Sequence, residues 1–150
     1  MALSLPIPRG ESATTIPKGQ PPDHFVCRDG VEFAGTHVFV DLWEASRLDE
    51  IQYMEVVLRE VVDTCRASLL HLHLHHFTPM GISGVAVLAE SHISVHTWPE
   101  RGFAAFDVFM CGEAQPQLAI PIFERAFSAG HVNANTVCRG VVESAGVIEA

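Results

Sequence analysis

Two hydroxyls, Ser83 and Ser91, an imidazole, His96, and a thiol, Cys111, fall within one stretch of the chain. They sit in the runs Gly81-Ile82-Ser83-Gly84, Ala89-Glu90-Ser91-His92, Val95-His96-Thr97-Trp98-Pro99-Glu100 and Asp107-Val108-Phe109-Met110-Cys111-Gly112. A nucleophile beside a base is the minimum for acyl chemistry, so Ser91 or Cys111 with His96 as base would make a hydrolase. No GxSxG elbow or other hydrolase signature accompanies them. Each residue alone has a plainer explanation. A strand-end serine satisfies a local backbone group, a half-buried histidine is hydrogen-bonded, and a free cysteine packs as a small hydrophobe. Spacing alone leaves the reaction open. His71, His73, His75 and His76 suggest zinc, because alternate strand positions share a face. Such neighbours stand about 6.5–7 Å apart, too far for three to converge tetrahedrally on one ion. Interface or pocket-lining histidines are the expectation, and no metal ligands are assigned.

Short elements must hold these groups. His37 to Trp43, rich in β-branched and aromatic residues, reads as a strand. Ser46 is the expected helix cap, and Ile51, Met54, Leu58, Val61, Val62 and Cys65 form one apolar helix face. From Leu70 to Phe77 leucine alternates with histidine, which puts Leu70, Leu72 and Leu74 on one face and His71, His73 and His75 on the other. Val85–Ala89, Val95–Trp98 and Phe103–Met110 read as further strands, close enough in sequence to pair antiparallel. A second helix is predicted from Pro116 to Gly130, and a last strand over His131–Cys138. The fold class is therefore α+β: a two-layer α/β sandwich, mainly antiparallel, with helices on one face. The uncovered face predicts a homodimer. Ser91 and His96 lie on opposite sides of a regular strand, so their meeting demands a bend or bulge near His92.

Composition narrows the classes. The chain has 150 residues, 48% apolar and 18% charged, enough for one packed domain without a disulfide or metal staple. A net charge of −9, with its nine Lys+Arg scattered, argues against nucleic acid. Cys27, Cys65, Cys111 and Cys138 form no framework, and no apolar run reaches the ~18 residues of a membrane helix; a cytoplasmic location is expected. Residues 1–34, rich in Pro, Gly, Ser and Thr, read as a tail, 35–140 as the domain and 141–150 as a C-terminal tail.

The run Glu90 to Glu100, with Gly81-Ile82-Ser83-Gly84 and Phe103 to Gly112, resembles the prokaryotic S-adenosylmethionine decarboxylase proenzymes. The resemblance covers roughly His37 to Gly140 and implies a self-cleaving enzyme whose only cofactor is a covalent pyruvoyl group derived from Ser91. It implies cleavage between Glu90 and Ser91 into chains 1–90 and 91–150. By the same resemblance Ser83 assists processing, His96 accepts the Ser91 α-proton and Cys111 donates a proton during decarboxylation. Phe77 would stack on the substrate and Glu100 would take its ribose hydroxyls. Met80 departs from the pattern, standing where a polar residue such as Gln is expected.

The chemistry is coherent. Attack by Ser91 Oγ on the Glu90 carbonyl carbon closes a five-membered ring, so proximity replaces much of the entropic barrier. The amide becomes an ester, elimination gives dehydroalanine, and hydrolysis leaves a pyruvoyl group and ammonia. Its ketone would form a Schiff base with the substrate's amino group and accept electrons as CO2 leaves. The implied substrate is S-adenosylmethionine, the product serving spermidine synthesis. The rival readings are the same chemistry on ornithine or arginine, or a non-catalytic metal- or nucleotide-binding dimer that is never cut.

Overall fold

The computed structural model describes residues 25–142. In chain order it contains β1 (Val26–Arg28), β2 (Val31–Phe33), β3 (Gly35–Trp43), α1 (Ile51–Thr64), β4 (Leu69–His76), β5 (Ile82–Leu88), β6 (Ser91–Trp98), β7 (Phe103–Cys111), α2 (Ala119–Ala126) and β8 (His131–Arg139). β1 and β2 form a hairpin of their own. The other strands make one sheet of order β4-β5-β6-β7-β3-β8, antiparallel throughout. The expected α+β sandwich is thus the observed architecture.

Alternation decides what each strand buries. In β7, Ala104, Phe106, Val108 and Met110 are buried, while the residues between them face the other side. Val38, Val40 and Leu42 of β3 and Ile93 and Val95 of β6 join them on the inner face. Met54, Val57, Leu58, Val61 and Val62 of α1 and Ile122 and Phe123 of α2 complete this core. Phe106 and Phe123 stack with ring centres 3.9 Å apart. Burying a side chain of this size contributes about 1.5–3 kcal/mol. The outer face carries no helix among the described residues and exposes Phe39, Trp43, Val87 and Trp98.

Three local expectations are corrected. Ser46 does not cap α1: its Oγ donates to the Phe127 carbonyl at 3.2 Å, and Arg47 at φ 60° turns the chain before Ile51. The α2 helix ends at Ala126, four residues short of Gly130, with Ser128 at φ 48° breaking it. Leu70 is not a core residue. The β4–β5 register shifts between Leu69 and His71, so Leu69 packs against the core and Leu70 is left 67% exposed. Residues 1–24 of the expected N-terminal tail lie outside the described residues, but its last part holds the β1–β2 hairpin. Of the C-terminal tail, residues 143–150 are likewise outside, while the Val142 N–H donates to the Glu32 carbonyl at 2.8 Å.

Candidate active site

The β5–β6 hairpin is closed by only Ala89 and Glu90, because Leu88 already pairs with Ser91. Tight hairpin turns need positive φ, and Glu90 adopts 62° although glutamate has a Cβ. The left-handed region disfavours such a residue by about 1–2 kcal/mol, so the Glu90–Ser91 peptide is held in a strained turn at the sheet's end. Ser91 Oγ accepts a hydrogen bond from the Cys111 N–H at 3.2 Å. Cys111 ends β7 opposite Gly35 of β3. A Cβ at Gly35 would stand 3.0 Å from Cys111 Sγ and 2.9 Å from the Met110 carbonyl oxygen, so glycine makes room for the thiol. Burial, and then the charge of Glu90, push the Cys111 thiol above its ordinary value. A cavity of about 190 Å³ opens here, lined by Arg66, Ser68, Glu90, Ser91, Cys111 and Glu113 among others.

A second cluster occupies the opposite end of the same strands, on the outer face. Ser83 is the cross-strand partner of His96, and Ser83 Oγ lies 2.8 Å from His96 Nδ1. Phe77 follows β4 and meets the His75 ring edge to face at 4.5 Å. Glu100 stands exposed in the 3₁₀ turn Pro99–Arg101 that follows β6.

The S-adenosylmethionine decarboxylase sequence profile matches residues 36–140. The chain belongs to the S-adenosylmethionine decarboxylase family. The S-adenosylmethionine decarboxylase proenzyme of Methanococcus maripaludis strain S2 is 42% identical over 118 residues, spanning 77% of this chain and 97% of that protein. The proenzyme of Thermomicrobium roseum is also 42% identical, over 110 residues, or 72% of this chain and 95% of the relative. Among solved structures, the adenosylmethionine decarboxylase of Aquifex aeolicus VF5 superposes with a TM-score of 0.68 at 29% identity, covering 76% of this chain and 97% of that one.

Within this family member, the chain unites Glu90, Ser91 and Cys111 but keeps Ser83, His96, Phe77 and Glu100 apart from them. The bulge expected near His92 is absent. β5–β6 pairing runs in register from Leu88–Ser91 to Ser83–His96, so Ser91 and His96 keep opposite faces. Along the strand they are separated by roughly 17 Å, far beyond hydrogen-bond reach.

Sequence reasoning missed two acids. Asp107 of β7 accepts a hydrogen bond from Ser94 Oγ at 3.0 Å on the outer face, and its other oxygen lies 3.4 Å from His37 Nε2. That contact falls short of a good hydrogen bond, and His37 Nε2 is buried without a hydrogen-bond partner among the described residues. Burial holds the His37 imidazole below its ordinary value despite the opposing pull of Asp107. The available signal was an acid inside an otherwise apolar and aromatic strand. The other acid is Asp49, just before α1, which accepts from the Gly81 N–H at 2.7 Å and contacts His76 Nε2 at 2.9 Å. An opening of about 660 Å³ beside it, lined by Arg47, Tyr53 and His76 among others, contains none of the expected reacting groups.

Proposed function

We propose that this chain is a self-processing, pyruvoyl-dependent decarboxylase that converts S-adenosylmethionine to its decarboxylated form and CO2 for polyamine synthesis. The observation that carries this reading is the Glu90–Ser91 peptide, set in a left-handed turn with the Cys111 amide on Ser91 Oγ, in a member of this family. The strained turn favours rearrangement. Ser91 Oγ attacks the Glu90 carbonyl carbon, the peptide C–N bond breaks, and the freed Ser91 nitrogen takes the proton. Removal of the Ser91 α-proton then expels the Glu90 carboxylate, releasing chain 1–90. Loss of ammonia on hydrolysis leaves the pyruvoyl terminus of chain 91–150.

The residues at this end suit such a group. Ser91 supplies its carbon frame, and Gly35 leaves the Cys111 thiol room beside it. The pyruvoyl group supplies a ketone that holds the substrate amine and draws off electrons as CO2 departs. Cys111, kept protonated by burial and by Glu90, returns the proton to carbon. With a net charge of −9, the protein also suits a substrate bearing a sulfonium cation.

His96 and Ser83 act in this reading from a second copy. A two-fold axis running across the strands, between two stacked outer faces, lays the Ser91 end of one sheet over the Ser83–His96 end of its partner. The partner subunit's Ser83 then steadies the oxyanion of processing, and the partner subunit's His96 takes the α-proton. Phe77 and Glu100 come over with them, Phe77 to stack on adenine and Glu100 to accept from the ribose hydroxyls. The same packing covers Phe39, Trp43, Val87 and Trp98, each about 40% exposed in the single chain. Among the described residues no helix is long and apolar enough to cross a membrane, and the reading assigns the enzyme to the cytoplasm.

The test is direct. Purified protein is weighed by mass spectrometry and assayed for CO2 release from S-adenosylmethionine, arginine and ornithine. Two fragments and turnover of S-adenosylmethionine alone are expected. An uncut, inert chain overturns the reading, and turnover of arginine or ornithine alone reassigns its substrate.

A further inference from the structure

The two faces of β4 near its end do different things. On the outer side, His75 pairs across the strands with Ser83 and meets the Phe77 ring. On the helix side, His76 Nε2 lies 2.9 Å from Asp49 Oδ1, and the same oxygen accepts the Gly81 N–H at 2.7 Å. His76 and Gly81 flank the loop 77–80, so a single carboxylate oxygen ties both sides of its neck. The Phe77 N–H donates to the Gly81 carbonyl at 2.8 Å, closing the neck a second time.

The carboxylate has a firm base. Buried Thr97 accepts the Ile82 N–H at 2.8 Å and donates to the Leu48 carbonyl at 2.9 Å. Residues on each side of the clamp, Leu48 before Asp49 and Ile82 after Gly81, are therefore fixed to one interior hydroxyl. Gly81 itself has φ 110°, a conformation that a side chain would strain, and a Cβ there would stand 3.3 Å from the Thr97 carbonyl oxygen. The loop has little freedom left except at its tip, Thr78-Pro79-Met80. Hydrogen bonds to Asp49, first from the Gly81 backbone and then from His76, hold its carboxyl below the usual range.

We propose that Asp49 is a positioning residue for substrate binding: through Gly81 and His76 it sets the direction in which Phe77 is presented on the opposite face of the sheet. This rests on the assignment of Phe77 to the substrate made above. Phe77 is 46% exposed and its ring contact among the described residues is with His75, so the clamp at its base adds to the order that this limited packing supplies. An aromatic ring that must stack on a nucleoside gains affinity from being fixed before the ligand arrives. Asp49 touches neither Ser91 nor Cys111, which lie at the other end of the strands, so its effect falls on binding.

The test uses processed enzyme carrying Asp49→Ala, Asp49→Asn, Phe77→Ala or the double change Asp49→Ala with Phe77→Ala. Steady-state constants are measured on S-adenosylmethionine, with the Kd of 5′-methylthioadenosine, a nucleoside lacking the reacting amine, as the readout independent of turnover. Asp49→Ala is expected to raise KM and that Kd about tenfold while kcat stays within about twofold. Asp49→Asn keeps an oxygen that accepts from Gly81 and is expected to recover most of the loss. The double variant is expected to bind no worse than Phe77→Ala alone, because Asp49 acts through that ring. An unchanged KM in Asp49→Ala, or effects that multiply in the double variant, overturns the proposal. If Phe77→Ala binds normally, the Phe77 assignment falls and this inference with it. Should Asp49→Ala not accumulate as folded protein, His76→Asn releases the other side of the neck and is judged by the same outcomes.

Discussion

The two ends of β5 and β6 are built on different physical principles. At the Ser91 end, reactive groups are crowded by backbone: a two-residue turn, a glutamate at positive φ, a main-chain donor on the serine and a glycine that admits a thiol. At the Ser83 end they are arranged by side chains on an open face: a serine–histidine hydrogen bond, an exposed phenylalanine and an exposed glutamate. Strain and partial burial suit a bond that must rearrange once. Exposure suits groups that must meet something arriving from outside. In the proposed reading neither end is a complete site, and a second chain joins them.

The strongest way to break that contrast is to disable each end in a different copy. Ser91→Ala alone is expected to remain whole and give no turnover, and His96→Ala alone is expected to be cut poorly. Co-expressed, the two variants form mixed dimers in which an intact Ser91 meets the partner subunit's intact His96. With random pairing about half of the His96→Ala chains are then cut, as read by mass spectrometry of the tagged chains. No cleavage beyond that of His96→Ala alone would place both residues within one chain and require β6 to deform.

The next largest effect concerns Cys111. Cys111→Ser should leave cleavage intact and lower kcat by about a hundredfold, because a hydroxyl is the poorer proton donor. The pH dependence has a definite sign. A raised thiol value keeps the donor protonated, so activity persists below that value and is lost as pH rises through it. Glu90→Gln keeps the scissile carbonyl but removes the second cause of the shift. Its alkaline limb should move to lower pH, yet stay above that of an ordinary thiol, since burial is the larger cause. A limb that does not move would show that Glu90 does not act on Cys111. Gly35→Ala sharpens the same point sterically. Its Cβ would crowd Phe109 and Cys111, and a loss of about 1–3 kcal/mol in unfolding free energy is expected by denaturant titration, with kcat lowered as the thiol shifts.

What the sequence disclosed was mostly local. Alternation in β7 and the apolar face of α1 report burial directly, whereas the residue types around Ser91 leave the reaction open until the resemblance to a known family is added. What it withheld depends on partners distant along the chain. Ser46 looks like a cap, but the Phe127 carbonyl, 81 residues away, takes its hydroxyl. Asp49 stands just before α1, but its backbone partner is the Gly81 N–H, 32 residues on. His96 is legible as a base, whereas its placement on the face opposite Ser91 follows from an unbroken β5–β6 register that no composition rule foretells. The irregularity does exist, but in β4, where it changes the fate of Leu70.

That displacement gives the smallest and most discriminating prediction. Strict alternation makes Leu70, Leu72 and Leu74 equivalent, and removing a buried leucine costs about 2–5 kcal/mol. The register shift separates them: Leu70 is 67% exposed, while Leu72 and Leu74 pack against the core. Leu70→Ser is therefore expected to change unfolding free energy by less than about 0.5 kcal/mol, whereas Leu74→Ala should be clearly destabilising. Equal and large losses at both positions would mean that β4 pairs without its bulge. Its histidines would keep their face even so, because Leu72 and Leu74 alternate with His71, His73 and His75 beyond the shift, and only the first residues of β4 would be repacked.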